Sequence, residues 1–202
     1  MYIWATSSIR QQLMFVPALR VQFWRFLSYT LIHSDVTHLL LNIWLQCLVG
    51  FSLECEQGHW KVVFIYSVSG VSGSLATFLL QPHLSLLGAS AGIYGLLMSH
   101  VPHLLKNFSQ LPKRYFRLVS LLVLWLSDAA FTAFHFLVNH NRNPRICLVA
   151  HAGGGGAGLL LGFLVYAGKT TKRSGWSSVG VGRREGRDLF QKDLSERPHF
   201  QR

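Results

Sequence analysis

The sequence predicts an all-α fold: a polytopic membrane bundle of about five spanning helices preceded by an N-terminal stub. Three observations carry this expectation. Charged residues make up only 13% of the 202 residues and apolar ones 50%, whereas ordinary soluble domains carry about 25% charge. No Asp, Glu, Lys or Arg falls between Lys61 and Lys106, which leaves room for two crossings at about 20 residues each. The runs 36–53 and 146–168 are also free of charge, and 118–141 contains Asp128 alone. A soluble α/β enzyme would need strands alternating with shorter helices, so these runs argue against one.

Taken in order, residues 1–20 are apolar but broken by Arg10 and Pro17. They read as the stub of another span or as an interfacial segment, and they lack the basic start of a signal peptide. Spans are expected at 37–53, 60–80, 89–104, 117–138 and 147–168, within a membrane domain covering 21–168. Residues 169–202 are Gly/Ser-rich, then mixed in charge. They read as a basic, disordered tail, either solvated or resting on acidic lipid. Neither a repeat of solenoid period nor matched broken helices of a transporter is present.

The net charge of +11 would suit nucleic acid, but the basic residues sit in loops and tail, as the positive-inside rule requires. Lys61, Lys106, Lys113, Arg114, Arg117 and the basic residues from Lys169 onward fall on one side. Arg10, Arg20, Arg25, Arg142 and Arg145 fall on the other. The first group, tail included, is expected in the cytoplasm, which places Ser90 near the outer end of its span; no nucleic-acid partner is expected. Cys47, Cys55 and Cys147 form no C-x-x-C, and there is no H-E-x-x-H, so neither a metal nor another cofactor is expected.

The segment LLGASAGIYGLL sets Ser90 between Gly88 and Gly92. Its G-x-S-x-G spacing is that of a nucleophile elbow, yet small residues also suit close helix packing. Spacing alone leaves both readings open. A serine nucleophile needs a base within reach. Among ten histidines, His151 in VAHAGGGGAGLLLG stands near the outer end of its span and shares a helix face with Gly154 and Gly158. Those glycines allow close approach to a partner helix, for which the GASAG face is the candidate. A membrane histidine is a functional candidate, or else an interfacial residue bound to a loop carbonyl.

Acyl transfer also needs oxyanion donors. HSDVTHLLLNIWLQ offers His38 and Asn42 at i, i+4, with interhelical hydrogen bonding as the competing role. Tyr94 lies one turn beyond Ser90, where it either packs on the His151 ring or is an ordinary packed aromatic. Asp128 completes the chain order of a hydrolase triad, but it lies near mid-span at a 1.5 Å rise per residue. Contact with His151 is therefore not expected. The reading is a Ser-His dyad, with Asp128 a buried structural acid or pathway residue.

Through FWRFLSYTLIHSDVTHLLLN, LLGASAGIYGLL and VAHAGGGGAGLLLG, in that order, the chain resembles the rhomboid intramembrane serine proteases from about Val21 to Gly168. The resemblance implies that Ser90 is the nucleophile, His151 its base, and His38, Asn42 and the Ser90 N–H the oxyanion site. His33 is similar to the family's further histidine, Trp24-Arg25 to its loop WR pair, and Tyr94 to the aromatic stacked on the catalytic histidine. Gly154 and Gly158, with Gly88 and Gly92, take the place of packing glycines. The wording WRFLSY and GASAGIYG is most similar to animal secretase-type members. These cleave single-pass membrane proteins such as growth-factor precursors, which implies a location in the secretory pathway or plasma membrane.

Two departures from the family bear on activity. Its core has six spans, of which the first is here missing or reduced to residues 1–19, and the seventh span of many secretase-type members is absent. An incomplete bundle is expected to fold or act less well. HAGGGG is also expected to loosen the start of the last span, at about 1 kcal/mol per Gly relative to Ala. The alternative is a catalytically weak or inactive rhomboid-like protein that binds membrane clients and controls their trafficking. Inactive relatives commonly lose the serine or the histidine, or carry Pro before the serine; Ala89, Ser90 and His151 keep the active pattern.

Overall fold

A computed structural model describes residues 7–141 and 146–166 of the chain. The tail expected at 169–202, Arg142 and Arg145 lie outside them. Among the described residues there are seven α-helices and no β-strand. Among the described residues, 7–31 contain no helix long enough to span a membrane. This segment folds as a short helix α1 (Ser7–Leu13), a 3-10 turn (Pro17–Leu19), helix α2 (Arg25–Ser28) and a second 3-10 turn (Tyr29–Leu31).

Five long helices follow. Asp35 caps α3 (Val36–Gln57), its carboxylate accepting the His38 N–H at 2.8 Å, which satisfies one of the free donors of the first turn. Gly58 alone links α3 to α4 (His59–Leu80), at φ +93°, a conformation that costs glycine little. After Pro82 the chain crosses to α5 (Ser90–Asn107), then to α6 (Arg114–Asn139) and α7 (Leu148–Val165). Lys113 and His140, both in left-handed conformation, bound α6.

Four of these helices, α3, α4, α6 and α7, are long and apolar enough to cross a membrane. They expose Trp44, Phe51, Phe64, Leu79, Val123, Leu126, Leu137 and Leu164 outward, a surface that suits acyl chains rather than water. The helix α5 carries His100, Pro102, His103, Lys106 and Asn107 and is too polar to face lipid. It lies at the centre, packed against α3, α4 and α7, with α6 on the periphery. The protein is thus an integral membrane helical bundle.

In lipid the hydrophobic effect does not drive helices together, so close packing must. The partner ladders are Ala91, Gly95 and Ser99 on α5 and Gly154, Gly158 and Gly162 on α7. A Cβ at Gly154 would strike the Ala91 carbonyl, one at Gly158 the Gly95 carbonyl, and one at Gly162 would lie 3.2 Å from the Ser99 oxygen. Gly153 likewise sits on Ala76 of α4. This packing offsets the poor helix propensity of HAGGGG: α7 runs unbroken from Leu148, and the expected loosening does not occur.

At the end remote from Ser90, Glu56 of α3 reaches Arg117 of α6 at 2.5 Å and His103 of α5 at 2.7 Å. Lys106 donates to the Phe163 and Tyr166 carbonyls, a cation closing the C-terminal end of α7. Three helices are therefore clasped by one carboxylate where their ends meet the polar boundary.

Candidate active site

Ser90 is the first residue of α5. The chain reaches it through Gly88, whose φ of +110° lets the loop turn sharply into the helix. That loop is held from both sides. Phe15 and Leu86 exchange backbone hydrogen bonds of 3.1 and 3.0 Å, and Gly88 N–H donates to the Tyr29 carbonyl at 3.1 Å. Because α5 begins here, the Ser90 N–H has no carbonyl one turn back to bond, and the positive end of the helix points at the serine.

His151 lies in the first turn of α7. The glycine seam brings its Nε2 to 2.9 Å from Ser90 Oγ, hydrogen-bond distance for a base and its nucleophile. For Nε2 to accept the serine proton, the ring must carry its own hydrogen on Nδ1. Among the described residues Nδ1 has no hydrogen-bond partner. The Tyr94 ring instead stacks on the imidazole, with centroids 4.1 Å apart and planes 15° from parallel. Asp128 does not contact His151. It accepts a hydrogen bond from the Tyr94 hydroxyl instead.

His38 approaches from α3. A Cβ at Gly88 would lie 2.8 Å from its Cε1 and 3.2 Å from its Nε2, so the ring rests on the glycine two residues before Ser90. Its Nδ1 lies 3.1 Å from Ser34 Oγ, while Ser34 donates to Asp35 at 2.6 Å. The Ser34 hydroxyl and the His38 N–H hold Asp35 below the usual carboxylate range. Asn42 is buried and donates its amide to the His38 carbonyl at 2.7 Å, which leaves its second N–H for another acceptor. The His33 ring meets His38 edge-on at 5.2 Å. Burial, reinforced by His38, pushes the His33 pKa down to about 4.

Other candidate residues lie elsewhere. Trp24 Nε1 donates to the Gln12 carbonyl at 3.2 Å, and Arg25 Nη1 to the Gln11 and Met14 carbonyls at 2.6 and 2.7 Å. They clasp the N-terminal segment rather than touch Ser90. Among the four expected packing glycines, Gly154 and Gly158 do line the α5–α7 seam. Gly92 faces Tyr66 of α4 instead, where a Cβ would come within 2.7 Å of the ring, and Gly88 is a turn glycine under His38. Their different places follow from helix geometry: Gly92 is one residue out of phase with Ala91 and Gly95.

Sequence reasoning places the GASAG face, with Ala91, opposite Gly154 and Gly158, but it missed the continuation of that seam through Gly95 and Ser99, which recur every four residues from Ala91. It also missed the Tyr94–Asp128 link and the Phe15–Leu86 pairing, both made across long sequence separations without any local pattern.

A family model described as Rhomboid domain matches residues 20–168. The chain is 36% identical over 151 residues to Rhomboid-related protein 1 of Caenorhabditis elegans, covering 75% of this chain and 42% of the relative. It is 32% identical over 165 residues to Rhomboid-related protein 2 of Mus musculus, covering 80% and 54%. It also resembles Inactive rhomboid-related protein 2 of Caenorhabditis elegans, at 28% identity over 152 residues, covering 75% and 43%. The chain thus spans about half the length of these curated relatives.

Proposed function

This chain belongs to the rhomboid family, and from that premise we propose that it is an intramembrane serine endopeptidase acting through a Ser90–His151 dyad. The observation that carries the reading is the 2.9 Å approach of His151 Nε2 to Ser90 Oγ at the start of a buried helix. Ser90 Oγ attacks the scissile carbonyl while His151 takes its proton. The carbonyl oxygen becomes an oxyanion facing the Ser90 N–H, with Asn42 as a side-chain donor and His38 as a second once its ring is protonated at both nitrogens. Collapse forms the Ser90 ester, and His151 returns the proton to the departing amine. Water, deprotonated by His151, then cleaves the ester and frees the serine.

The substrate class follows from the setting. A site within a membrane bundle meets segments that are themselves membrane helices, whose carbonyls are engaged in their own hydrogen bonds. The substrate must unwind before a carbonyl can reach Ser90, so small or helix-weakening residues are expected around the cut. We take single-pass membrane proteins as substrates, growth-factor precursors among them. The protein is assigned to the secretory pathway or plasma membrane with its C-terminal tail in the cytoplasm, an orientation supported by the distribution of Lys and Arg.

Purified protein in detergent should be labelled by a fluorophosphonate, and Ser90→Ala or His151→Ala should abolish both labelling and cleavage of a reporter membrane protein. Cleavage that survives Ser90→Ala would refute the proposal. The similarity to a relative named inactive supports a second reading, a client-binding protein that controls trafficking. That reading predicts client capture unaffected by Ser90→Ala and no labelling of the wild type.

A further inference from the structure

A base that must accept a proton in one direction needs its ring held in one plane. In a Ser-His-Asp triad a carboxylate does this by bonding Nδ1, but here Nδ1 of His151 has no partner among the described residues. The ring is held instead by the stacked Tyr94, 4.1 Å away. A stack alone fixes the plane only as well as the tyrosine itself is fixed. The hydroxyl of Tyr94 is anchored at its far end by Asp128 of α6.

An acidic side chain in a membrane-spanning helix is costly unless it is paired, and α6 is the long helix with the least of its surface buried in the protein. Packing therefore does not account for an acid at this position, whereas its bond to Tyr94 does. Building on the dyad reading above, we infer that Asp128 is a positioning residue for His151, acting through Tyr94. It reaches by way of an aromatic ring what the third member of a triad reaches directly. The bond also enriches the phenol in electron density. As His151 takes up the serine proton, the imidazolium lies over a ring face that attracts cations more strongly.

The test is a double-mutant cycle read by the rate of fluorophosphonate labelling of Ser90, measured in detergent below the onset of unfolding of every variant. Asp128→Ala should slow labelling about tenfold, about 1.4 kcal/mol, and Tyr94→Phe should do the same. The combined variant should be no slower than Tyr94→Phe alone, because both changes remove one interaction. Asp128→Asn keeps an oxygen to accept the hydroxyl and should lose no more than about threefold, about 0.65 kcal/mol. Should Asp128→Ala not fold, Asp128→Leu, close in size and unable to accept the hydroxyl, takes its place in the cycle. Multiplying losses in the combined variant, about a hundredfold in all, would overturn the inference, as would Asp128→Ala labelling at the wild-type rate. A wild type that takes no label overturns the protease reading and this inference together. A labelled wild type with multiplying losses overturns only the role of Asp128.

Discussion

Replacing Gly154 by Ala tests whether the α5–α7 seam sets the distance between Ser90 and His151. The added Cβ would fall 2.2 Å from the Ala91 carbonyl oxygen and 2.8 Å from its carbon, where a carbon and a carbonyl oxygen normally rest no closer than about 3.3 Å. Relieving this overlap requires the helices to part by roughly 1 Å. Ser90 is adjacent to Ala91, and His151 is one turn before Gly154. Their 2.9 Å contact would therefore open to about 3.9 Å, past hydrogen-bond range. A misplacement on this scale costs up to about 100-fold in rate. Two terms oppose each other in stability: overpacking costs about 1–3 kcal/mol, and Gly→Ala in a helix returns about 1 kcal/mol. The net loss should be about 0–2 kcal/mol, so the variant folds but labels slowly. Gly156→Ala is the control, since nothing lies within 4 Å of its Cβ position; it should label normally and melt no lower. Labelling rates and thermal melts in one detergent decide the matter. Wild-type labelling by Gly154→Ala, or equal losses in both variants, would refute the seam as the origin of the dyad distance.

Gly88→Ala meets both an unfavourable φ and the His38 ring at 2.8 Å; labelling should fall about tenfold or more while circular dichroism stays helical. Glu56→Gln removes the carboxylate that holds Arg117 and lies against His103 and should lower stability by about 1–3 kcal/mol by leaving the guanidinium without its acceptor. It should not alter the labelling rate of the protein that remains folded, as chemical denaturation and labelling at low temperature will show. His33 has a native pKa of about 4, below its unfolded value near 6.5. The unfolded chain therefore binds more protons between those values, and stability falls as pH drops from about 6.5 to about 4. Beside His38 and Asp35, His33→Phe should flatten this part of the melting profile; an unchanged slope would show that His33 does not titrate in folding.

Much of this arrangement is legible in the sequence because it is periodic. Charge-free runs reveal the spans, and the i, i+4 spacings of His38 with Asn42 and of Gly154 with Gly158 place each pair on a helix face. The span containing Ser90 is legible by its lack of charge, although α5 is too polar to pass as a lipid-facing helix; its centrality emerges only once the other helices surround it. The N-terminal segment reads from sequence as a stub or an interfacial segment, and what its apolar residues do is not legible there. Phe15 packs with Tyr29 and Leu86 under the loop before Ser90, a contact made across a long sequence separation. Asp128 shows the limit of reasoning by depth. Its position rightly separates it from His151, but a tyrosine side chain spans the gap, and no spacing within α6 reveals that partner.

The two geometric demands on the pair, separation and ring orientation, are met by different parts of the bundle. Separation depends on a seam of backbone, glycine and small side chains, which has few rotamers through which to drift, so the distance is as firm as the helices themselves. Orientation depends on a hydrogen bond to α6, the most lipid-exposed of the long helices. A carboxylate on that helix therefore carries a constraint that packing does not supply there. This division explains why a polar side chain is placed on a helix whose other residues face lipid: the firm seam brings Ser90 and His151 together, and the acid aligns the ring between them.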